Sequence, residues 1–422
     1  MLARLNNPIA TGLAGFIGWT IYVAARWKIW AHGHISLFIM SGSSPRYTNS
    51  AQMFPKILHV PNIGYDGQFY YRFAFDPFNW NPTAYGITVD HNYRYTRIGF
   101  SLVAWIVSLG GHGRLLPTVL VVLNLIFVGV MAWLGAKFAR ESGRHALWGL
   151  LFVGYFGLVI SVGRDTSEPL ADACMLGGLL AYRHSRYLLA ALLVCYGVFT
   201  NEPILVLAVA IAVVRLYQFW LKRARPGKPD LIWVLPGAVY VVLQIAEKLV
   251  VKGTSGGVAD AAANLTLPFK ALVPGVYRDI KHLSLTHLKY DYNLIEFIAL
   301  AVIVVAAFLF IRSSTARPHE KVAFVCFVGV EMVIASGQYW DSTFGDGRTY
   351  IDAFLMAIIV LLAAPAGTVT AGVTGTARKA HASLADRVFA PDRVLTNKRL
   401  GWLAAVAFAV LVLVARRHVL AQ

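Results

Sequence analysis

The sequence predicts an all-α polytopic membrane protein, and two observations lead to that prediction. The mean hydropathy is +0.59 and only 14% of the residues are charged, whereas about a quarter of an average soluble chain is charged. Apolar segments of membrane-spanning length recur from residue 9 to residue 415, and about 20 apolar residues suffice for one helical crossing. The first segment lacks a small-residue cleavage site and continues into Arg26, Trp27 and Lys28, so it is predicted to stay as a signal anchor.

The apolar segments predict about eleven spans, with the amino terminus inside and the carboxyl terminus outside. This orientation gives the short inner loops an excess of Lys and Arg, as is typical of cytoplasmic loops. Residues 98–110 are apolar but too short to cross comfortably, so they are predicted to lie at the outer interface. The predicted spans are 9–30, 115–136, 146–163, 168–182, 187–200, 203–221, 231–250, 293–312, 321–337, 350–364 and 400–415.

The net charge of +17 is explained by the basic residues of the predicted inner loops, and no nucleic-acid partner is predicted. Such a charge would indicate nucleic-acid binding in a soluble protein, but here the basic residues lie in short loops between apolar segments. The three cysteines lie inside apolar segments without CxxC spacing, which favours packing over disulfides or zinc binding. The chain has no Walker A loop or HExxH motif, so a nucleotide-dependent cytoplasmic enzyme has little support.

One polar stretch stands out in the long outer loop after the first span. Residues 64–72 read GYDGQFYYR. They place Asp66 between Gly64 and Gly67, which permit positive φ and the close approach of another molecule. The tyrosines are typical of an interfacial or sugar-stacking surface. The same residues would also suit a tight turn anchored at the lipid headgroups, and both interpretations remain open at this point.

Ionisable residues collect at the predicted outer ends of the spans, on the same side as Asp66. They lie in residues 164–169, 201–203 and 339–348. A charge at membrane depth costs about 2.5–3.5 kcal/mol, so such a group indicates a functional site. Glu168 and Glu202 each precede a proline, and helix-start chemistry would explain either one alone. Asp172 and Glu331 fall inside spans, where they would line a cavity or pair with an arginine.

Three stretches carry a family resemblance: 65–71 (YDGQFYY), 92–98 (NYRYTRI) and 164–170 (RDTSEPL). Together they resemble the bacterial GT-C-type integral membrane glycosyltransferases of cell-surface glycopolymers, over roughly residues 9–220. The resemblance implies an enzyme of the bacterial cytoplasmic membrane. Such an enzyme takes a sugar from a polyprenyl-phosphate carrier and passes it to a glycan, lipid or protein acceptor on the extracytoplasmic face.

The resemblance also implies a GT-C-like fold and a division of the chain. Residues 1–220 are expected to form the catalytic transmembrane module, with outer loop 31–114 containing interfacial helices. Residues 221–422 are expected to form a variable transmembrane module with outer loop 252–292 and inner loop 365–399.

The position that matches the family's catalytic base is Asp66. Many relatives carry a pair of acidic residues in that loop, whereas we identify one here, flanked by Gly67. After the fifth span relatives often have a basic residue before a glutamate, and this chain has Asn201 before Glu202.

The chemistry of the residues fits such a transfer independently. Moving a sugar from a lipid phosphate requires a carboxylate near the acceptor hydroxyl and cations near the phosphate. Arginine suits bidentate phosphate binding, and the predicted donor-phosphate residues are Arg72, Arg94, Arg97, Arg164 and Arg348. The predicted substrate-pocket residues are Tyr65, Gln68, Tyr71, Asp165, Glu168 and Glu202. Direct displacement would invert the anomeric centre, and neither a metal ion nor a cofactor besides the donor substrate is predicted.

Two other classes of protein remain open. A transporter or lipid-carrier flippase would line its path with ionisable residues, and a non-catalytic subunit of an envelope-polymer assembly complex is a further alternative. An enzyme is expected to lose function on Asp66→Asn at a normal membrane level, whereas a flippase is expected to be sensitive to Glu331→Gln. The sugar and the acceptor depend on pocket geometry and are not specified by these residues.

Overall fold

A computed structural model describes residues 6–44, 57–61, 63–251, 267–283, 288–333 and 346–365. This part of the chain is mostly helical, as the sequence predicts. Its α-helices are α1 (Pro8–Ile29), α2 (Gly67–Phe75), α3 (Gly99–Val107), α4 (Leu116–Glu141), α5 (Gly157–Gly163), α6 (Glu168–Arg183), α7 (Tyr187–Thr200), α8 (Leu205–Trp220), α9 (Leu231–Val250), α10 (Leu272–Lys281), α11 (Leu288–Phe310), α12 (Pro318–Met332), α13 (Asp346–Thr349) and α14 (Ile351–Leu362).

Shorter elements complete this part of the chain. 3-10 helices occur at Ile35–Ile39, Asn92–Thr96, Ala146–Val153, Glu202–Ile204 and Lys228–Asp230. The all-α prediction misses one small element, because β1 (Thr83–Ala84) and β2 (Ile87–Thr88) pair antiparallel as a hairpin in the predicted outer loop. The predicted interfacial segment 98–110 contains α3.

Several helices are long and apolar enough to cross a bilayer. Within the described ranges, four satisfy both conditions: α1, α4, the segment Glu202–Trp220 that contains α8, and the segment Lys228–Val250 that contains α9. Shorter apolar helices are α7, Leu294–Phe310 of α11, and α14. These helices are compatible with a multi-pass membrane protein. The total of eleven spans stays a prediction, and span 400–415 lies outside the described residues.

The segment predicted as a single span over residues 146–163 is bent. It consists of the 3-10 helix Ala146–Val153 and α5, which meet at 68°. Gly154 ends the first piece. Gly149 approaches α4 so closely that a Cβ atom there would lie 2.6 Å from the carbonyl oxygen of Ala132. Because glycines permit both the break and the close approach, apolarity alone predicts a straight helix that does not form.

The exposed face of α1 is an apolar stripe that repeats every four residues. Its members are 55–65% exposed and are Ile9, Leu13, Ile17 and Ile21. On the inward face, Gly12 and Gly15 pack against Trp133 and Ala132 of α4. Small residues at a helix contact and large apolar residues facing outward are typical of a helix in lipid.

The loop between α1 and α4, which is the predicted outer loop, packs onto the ends of α4 and α6 through an apolar cluster. Among its members are Phe69, Tyr70, Tyr71, Phe73, Tyr95, Leu116, Leu120 and Leu170. The hydroxyl of Tyr70 also accepts a hydrogen bond from Ser167 Oγ at 2.8 Å. This packing places the start of α2 beside the start of α6, which is where the candidate site lies.

Charged residues gather at both ends of α6. At its last residue, Arg183 donates from Nε to Glu320 at 2.6 Å and from Nη1 to Glu141 at 2.8 Å. At its first residue, Glu168 belongs to the candidate site. The 16 residues of α6 extend about 24 Å, so the two charged groups lie on opposite sides of an apolar layer. Which of them faces the cytoplasm stays a prediction.

The carboxyl-terminal helices share the core of the earlier ones. α12 packs against α8, and α14 packs against α4, α11 and α12. One apolar cluster consequently contains residues from Val23 to Ala363. The packing of α14 also brings the preceding α13, with Arg348, to the end of the bundle where α2 lies.

Candidate active site

Asp66 lies between two arginines at the start of α2. Its Oδ1 accepts a hydrogen bond from Arg94 Nη1 at 2.8 Å, and its Oδ2 accepts one from Arg348 Nη2. Asp66 precedes the first residue of α2, but its side chain makes no capping hydrogen bond there. The carboxylate is therefore directed at the guanidinium groups and does not serve as a helix cap.

Each of these arginines also contacts a second carboxylate. Arg94 donates from Nε to Asp90 Oδ1 and from Nη2 to Asp90 Oδ2, the latter at 3.3 Å. Arg348 Nη1 lies 3.3 Å from Glu168 Oε1, and the other oxygen of Glu168 accepts a hydrogen bond from the Thr166 hydroxyl. The site is thus a row of alternating carboxylates and guanidiniums with Asp66 at its centre.

The turn before α2 fixes the position of Asp66. Gly64 has a φ of +80°, which glycine adopts at little cost, and the Tyr65 amide donates to the Met40 carbonyl at 2.8 Å. A Cβ atom on Gly67 would lie 2.6 Å from the Ile39 carbonyl oxygen and closer still to that of Arg164. Both glycines are required by this packing, so residues 64–67 form the predicted turn, while the site interpretation of residues 64–72 stays a prediction.

Gln68, predicted as a pocket residue, stabilises the same turn. Its Oε1 accepts from the Gly42 amide at 3.2 Å, and its Nε2 donates to the Ile63 carbonyl at 3.2 Å. The side chain is 1% exposed. Gln68 therefore connects two parts of the predicted outer loop. Within the described ranges its side chain makes no hydrogen bond to the Asp66 carboxylate, so its predicted role in the pocket stays a prediction.

Aromatic rings support the guanidinium groups. The Tyr65 ring lies 4.4 Å from the guanidinium carbon of Arg164 and 4.8 Å from that of Arg348. The Phe69 ring lies 3.9 Å from that of Arg94. Cation–π contacts of this kind hold a guanidinium in one orientation, which prepares these side chains to bind an anion.

Arg97 and Glu202 form a separate ion pair beside this row. Arg97 donates from both Nε and Nη2 to the two carboxylate oxygens of Glu202. The Tyr93 ring connects the pair to the row, since it lies 4.4 Å from the Arg97 guanidinium carbon and 5.3 Å from that of Arg94. The structure thus brings Arg97 and Glu202 next to the Asp66 group and joins them to each other.

The charges of the row fix its protonation states. Burial alone would raise the pKa of Asp66, but the Arg348 and Arg94 guanidiniums outweigh that effect and hold the pKa well below its usual range. Burial also acts to lower the pKa of Arg94 and of Arg348, and Asp66, together with other neighbouring groups, more than compensates in both cases. Burial raises the pKa of Tyr65 to about 12. At neutral pH the carboxylate is ionised, both arginines are charged and the tyrosine is neutral.

Two predicted site residues on α2 point elsewhere. Arg72 donates from Nη2 to the carbonyl oxygens of Asn79, at 3.4 Å, and Asn81, and its guanidinium carbon lies 4.5 Å from the Phe73 ring. Tyr71 is 1% exposed. Within the described ranges neither contacts Asp66, so the structure assigns Arg72 to holding the loop after α2 and Tyr71 to the apolar cluster.

Asp165 lies apart from the row as well. It is fully buried with a φ of +48°, a conformation that is rare outside glycine. Burial raises its pKa well above the usual value, and its polar neighbours are Asn124 of α4 and Arg26 of α1. Its carboxylate oxygens have no hydrogen bond within the part of the chain that the structure describes. The adjacent Arg164, in contrast, lies against Tyr65 of the site.

The structure adds residues that the sequence analysis did not assign. Asp90 is the most important, because it gives the outer loop a second carboxylate at the site and corrects the view that Asp66 stands alone there. Its spacing of four from Arg94 matches the ion-pair spacing of an α-helix, but Asp90 precedes the 3-10 helix Asn92–Thr96, so helical periodicity gave no reason to select it. Phe69 and Tyr93 lie within the two outer-loop stretches that carry the family resemblance, but nothing in their pattern distinguished them from interfacial aromatics.

Two further features, metal-ligand clusters and surface clefts, bear on where a site could lie. Within the described residues, no three His, Cys, Asp or Glu side chains come together as metal ligands. A surface cleft of about 520 Å³ is lined by His145, Leu147, Trp148, Leu150 and Leu151. It is apolar and contains none of the predicted site residues.

No protein-family model, curated protein or solved structure matches the chain.

Proposed function

We propose that the protein is a GT-C-like membrane glycosyltransferase. It transfers a sugar from a polyprenyl-phosphate donor to an acceptor on the extracytoplasmic face of a bacterial cytoplasmic membrane. The observation that carries the proposal is the carboxylate of Asp66 between Arg94 and Arg348, at one end of a bundle of apolar helices. This arrangement supplies a base and two phosphate-binding cations at one point.

The spatial arrangement of the resembling stretches supports the same function. Residues 65–71 contribute Asp66, residues 92–98 contribute Arg94, and residues 164–170 contribute Glu168. The first two stretches lie in one loop, the third lies beyond α4 and α5, and all three meet in one row of charges. A chance likeness of three short stretches gives no reason for such a meeting, whereas a shared active site requires it.

The proposed reaction is a single displacement. The acceptor hydroxyl oxygen attacks the anomeric carbon of the donor sugar, and its proton passes to the Asp66 carboxylate. The bond between the anomeric carbon and the phosphate oxygen breaks, and its electron pair stays on that oxygen. Arg94 and Arg348 stabilise the charge that develops on the departing lipid phosphate. The anomeric configuration is inverted, since one bond forms as the other breaks from the opposite side.

A transporter remains the second candidate, and one observation favours it. Asp172 and Asp352 are buried neighbours on α6 and α14, and Glu331 on α12 lies near Asp352. Intramembrane carboxyls often mark a transport path. However, Asp172 lies one turn after Glu168, Asp352 is the second residue of α14, and Glu331 is the penultimate residue of α12. All three therefore extend the charged end of the bundle and do not mark its middle.

The test is turnover of defined donors by the purified full chain in nanodiscs. A panel of polyprenyl-phosphate sugars is supplied with membrane extract as acceptor source, and release of free polyprenyl phosphate is followed. One donor is expected to be consumed by the wild type and by Asp76→Asn, and not by Asp66→Asn. Asp76 lies in the same loop, and its carboxylate accepts only from the Phe78 amide among described residues, so it controls for loss of a charge. No turnover of any donor would favour the transporter or the accessory subunit.

A further inference from the structure

We propose that Asp66 occupies the donor-phosphate site of the ligand-free protein and that the phosphate of the donor displaces it from Arg94 and Arg348. This inference presupposes the proposed function and deepens it. In the structure the two oxygens of one carboxylate bridge two guanidiniums. Two oxygens of a phosphate bridge a pair of arginines in the same way. The Asp66 carboxylate and the phosphate of the sugar donor therefore compete for the same guanidinium N–H groups.

The arginines are held in place without Asp66. Arg94 remains bound to Asp90 through Nε and Nη2 and lies on the Phe69 ring. Arg348 remains beside Glu168 and lies on the Tyr65 ring. The turn before α2 fixes the backbone of Asp66, but among the described residues its carboxylate has no comparable second support, since it makes no capping hydrogen bond to α2. In the described structure it is the exchangeable member of the row, and the guanidiniums are the fixed members.

Charge balance leads to the same conclusion. The row and the adjacent Arg164 together contain three guanidiniums and three carboxylates, those of Arg94, Arg164, Arg348, Asp66, Asp90 and Glu168. A lipid phosphate adds at least one negative charge to a buried site, where uncompensated charge is costly. Moving the Asp66 carboxylate away from the guanidiniums and towards the acceptor restores the balance at the phosphate.

The displacement would couple donor binding to activation of the base. While Asp66 bridges two guanidiniums, it is a poor proton acceptor, because both positive charges stabilise its ionised form. Once the phosphate takes over the arginines, the carboxylate loses these partners and becomes more basic. Asp66 then takes the proton of the acceptor hydroxyl only when the sugar donor is bound.

The experiment is a binding measurement with a short-chain polyprenyl monophosphate as the probe. Its Kd is measured by titration calorimetry for the full chain in nanodiscs, as wild type, Asp66→Asn and Asp90→Asn. Asp90→Asn removes the same charge from the same arginine, so it controls for a general electrostatic effect. We expect Asp66→Asn to bind about tenfold or more tightly than the wild type, and Asp90→Asn to change the Kd by much less. Asp66→Ser serves as the replacement if Asp66→Asn does not fold.

The possible results distinguish failure of the proposed displacement from failure of the proposed glycosyltransferase function. Measurable wild-type binding with an unchanged or weaker Asp66→Asn overturns the displacement and leaves the glycosyltransferase standing. Equal tightening in Asp66→Asn and Asp90→Asn also overturns it, because charge alone then explains the effect. If neither the wild type nor Asp66→Asn binds the probe, the lipid-phosphate function itself fails together with the inference.

Discussion

Asp66 and Arg348 lie 282 positions apart in the chain and form an ion pair at one end of the helix bundle. The pair joins the outer loop to the short helix before α14, so it links the amino-terminal and carboxyl-terminal parts of the protein. Arg348 also lies within 3.3 Å of Glu168. This one arginine thus connects the proposed base, the start of α6 and the start of α14.

Replacing Arg348 is expected to impair the transfer strongly. Arg348→Ala removes one of the two arginines that are proposed to bind the donor phosphate. We expect kcat/KM for the lipid-phosphate sugar to fall about 100-fold. Arg348→Lys keeps the charge but loses the two-pronged geometry, so an intermediate fall of about tenfold is expected. Steady-state release of polyprenyl phosphate measures both. Arg312→Ala, at an exposed position after α11, controls for loss of an arginine, and wild-type kcat/KM in Arg348→Ala would remove Arg348 from the site.

Replacing Arg72 is expected to change stability and not donor recognition. Arg72→Met keeps the apolar length of the side chain but leaves the carbonyl oxygens of Asn79 and Asn81 without this donor, which costs about 1–3 kcal/mol. Thermal unfolding in detergent should show a lower Tm, while KM for the donor in the folded fraction stays within about twofold of wild type. A large rise in KM at an unchanged Tm would return Arg72 to the donor site.

The contribution of Asp66 to stability is expected to persist into mildly acidic conditions. Burial raises its pKa, but Arg348 and Arg94 outweigh this and hold the pKa well below the usual range. A carboxyl whose folded-state pKa is depressed stabilises the fold above its unfolded pKa of about 4 and loses that contribution as the pH falls towards the folded value. The Tm difference between wild type and Asp66→Asn should therefore stay constant from about pH 8 to about pH 5 and shrink only below about pH 4. A difference that already disappears between about pH 7 and about pH 5 would contradict the double ion pair.

Gly67 is expected to tolerate no side chain. A Cβ atom there would lie 2.6 Å from the Ile39 carbonyl oxygen, which is backbone and cannot rotate away. Gly67→Ala should displace the start of α2, lower the Tm by several degrees and reduce donor turnover with it. Gly18→Ala is the matched control, because nothing lies within 4 Å of a Cβ atom at that helical position. Equal Tm values for both variants would show that α2 does not dock as described.

The sequence predicted the helical class, and it selected residues that meet in the candidate site, for identifiable reasons. Hydropathy reports the class directly, and a carboxylate between glycines in a tyrosine-rich loop is a local pattern. The pairing of Asp66 with Arg348 is not local, and it depends on how α14 packs against α4, α11 and α12. No spacing rule reaches across such a distance.

The direction of the Arg72 side chain could not be predicted, because the sequence did not specify where the helices of the predicted outer loop begin and end. Residues 67–75 form α2, and six positions along an α-helix correspond to a rotation of about 240°. Arg72 therefore leaves the helix on a different side from the residues near Asp66. The bend within residues 146–163 was missed for a similar reason, since it depends on the contact between Gly149 and α4.

The most direct test of the account is a single-turnover reaction with the donor identified by the panel, at saturating donor, comparing wild type with Asp66→Asn. We expect Asp66→Asn to bind the donor at least as tightly as the wild type and to transfer the sugar about 100-fold to 10,000-fold more slowly, because only the base is lost. Transfer at the wild-type rate by a folded, donor-bound Asp66→Asn would contradict the assignment of Asp66 as the base.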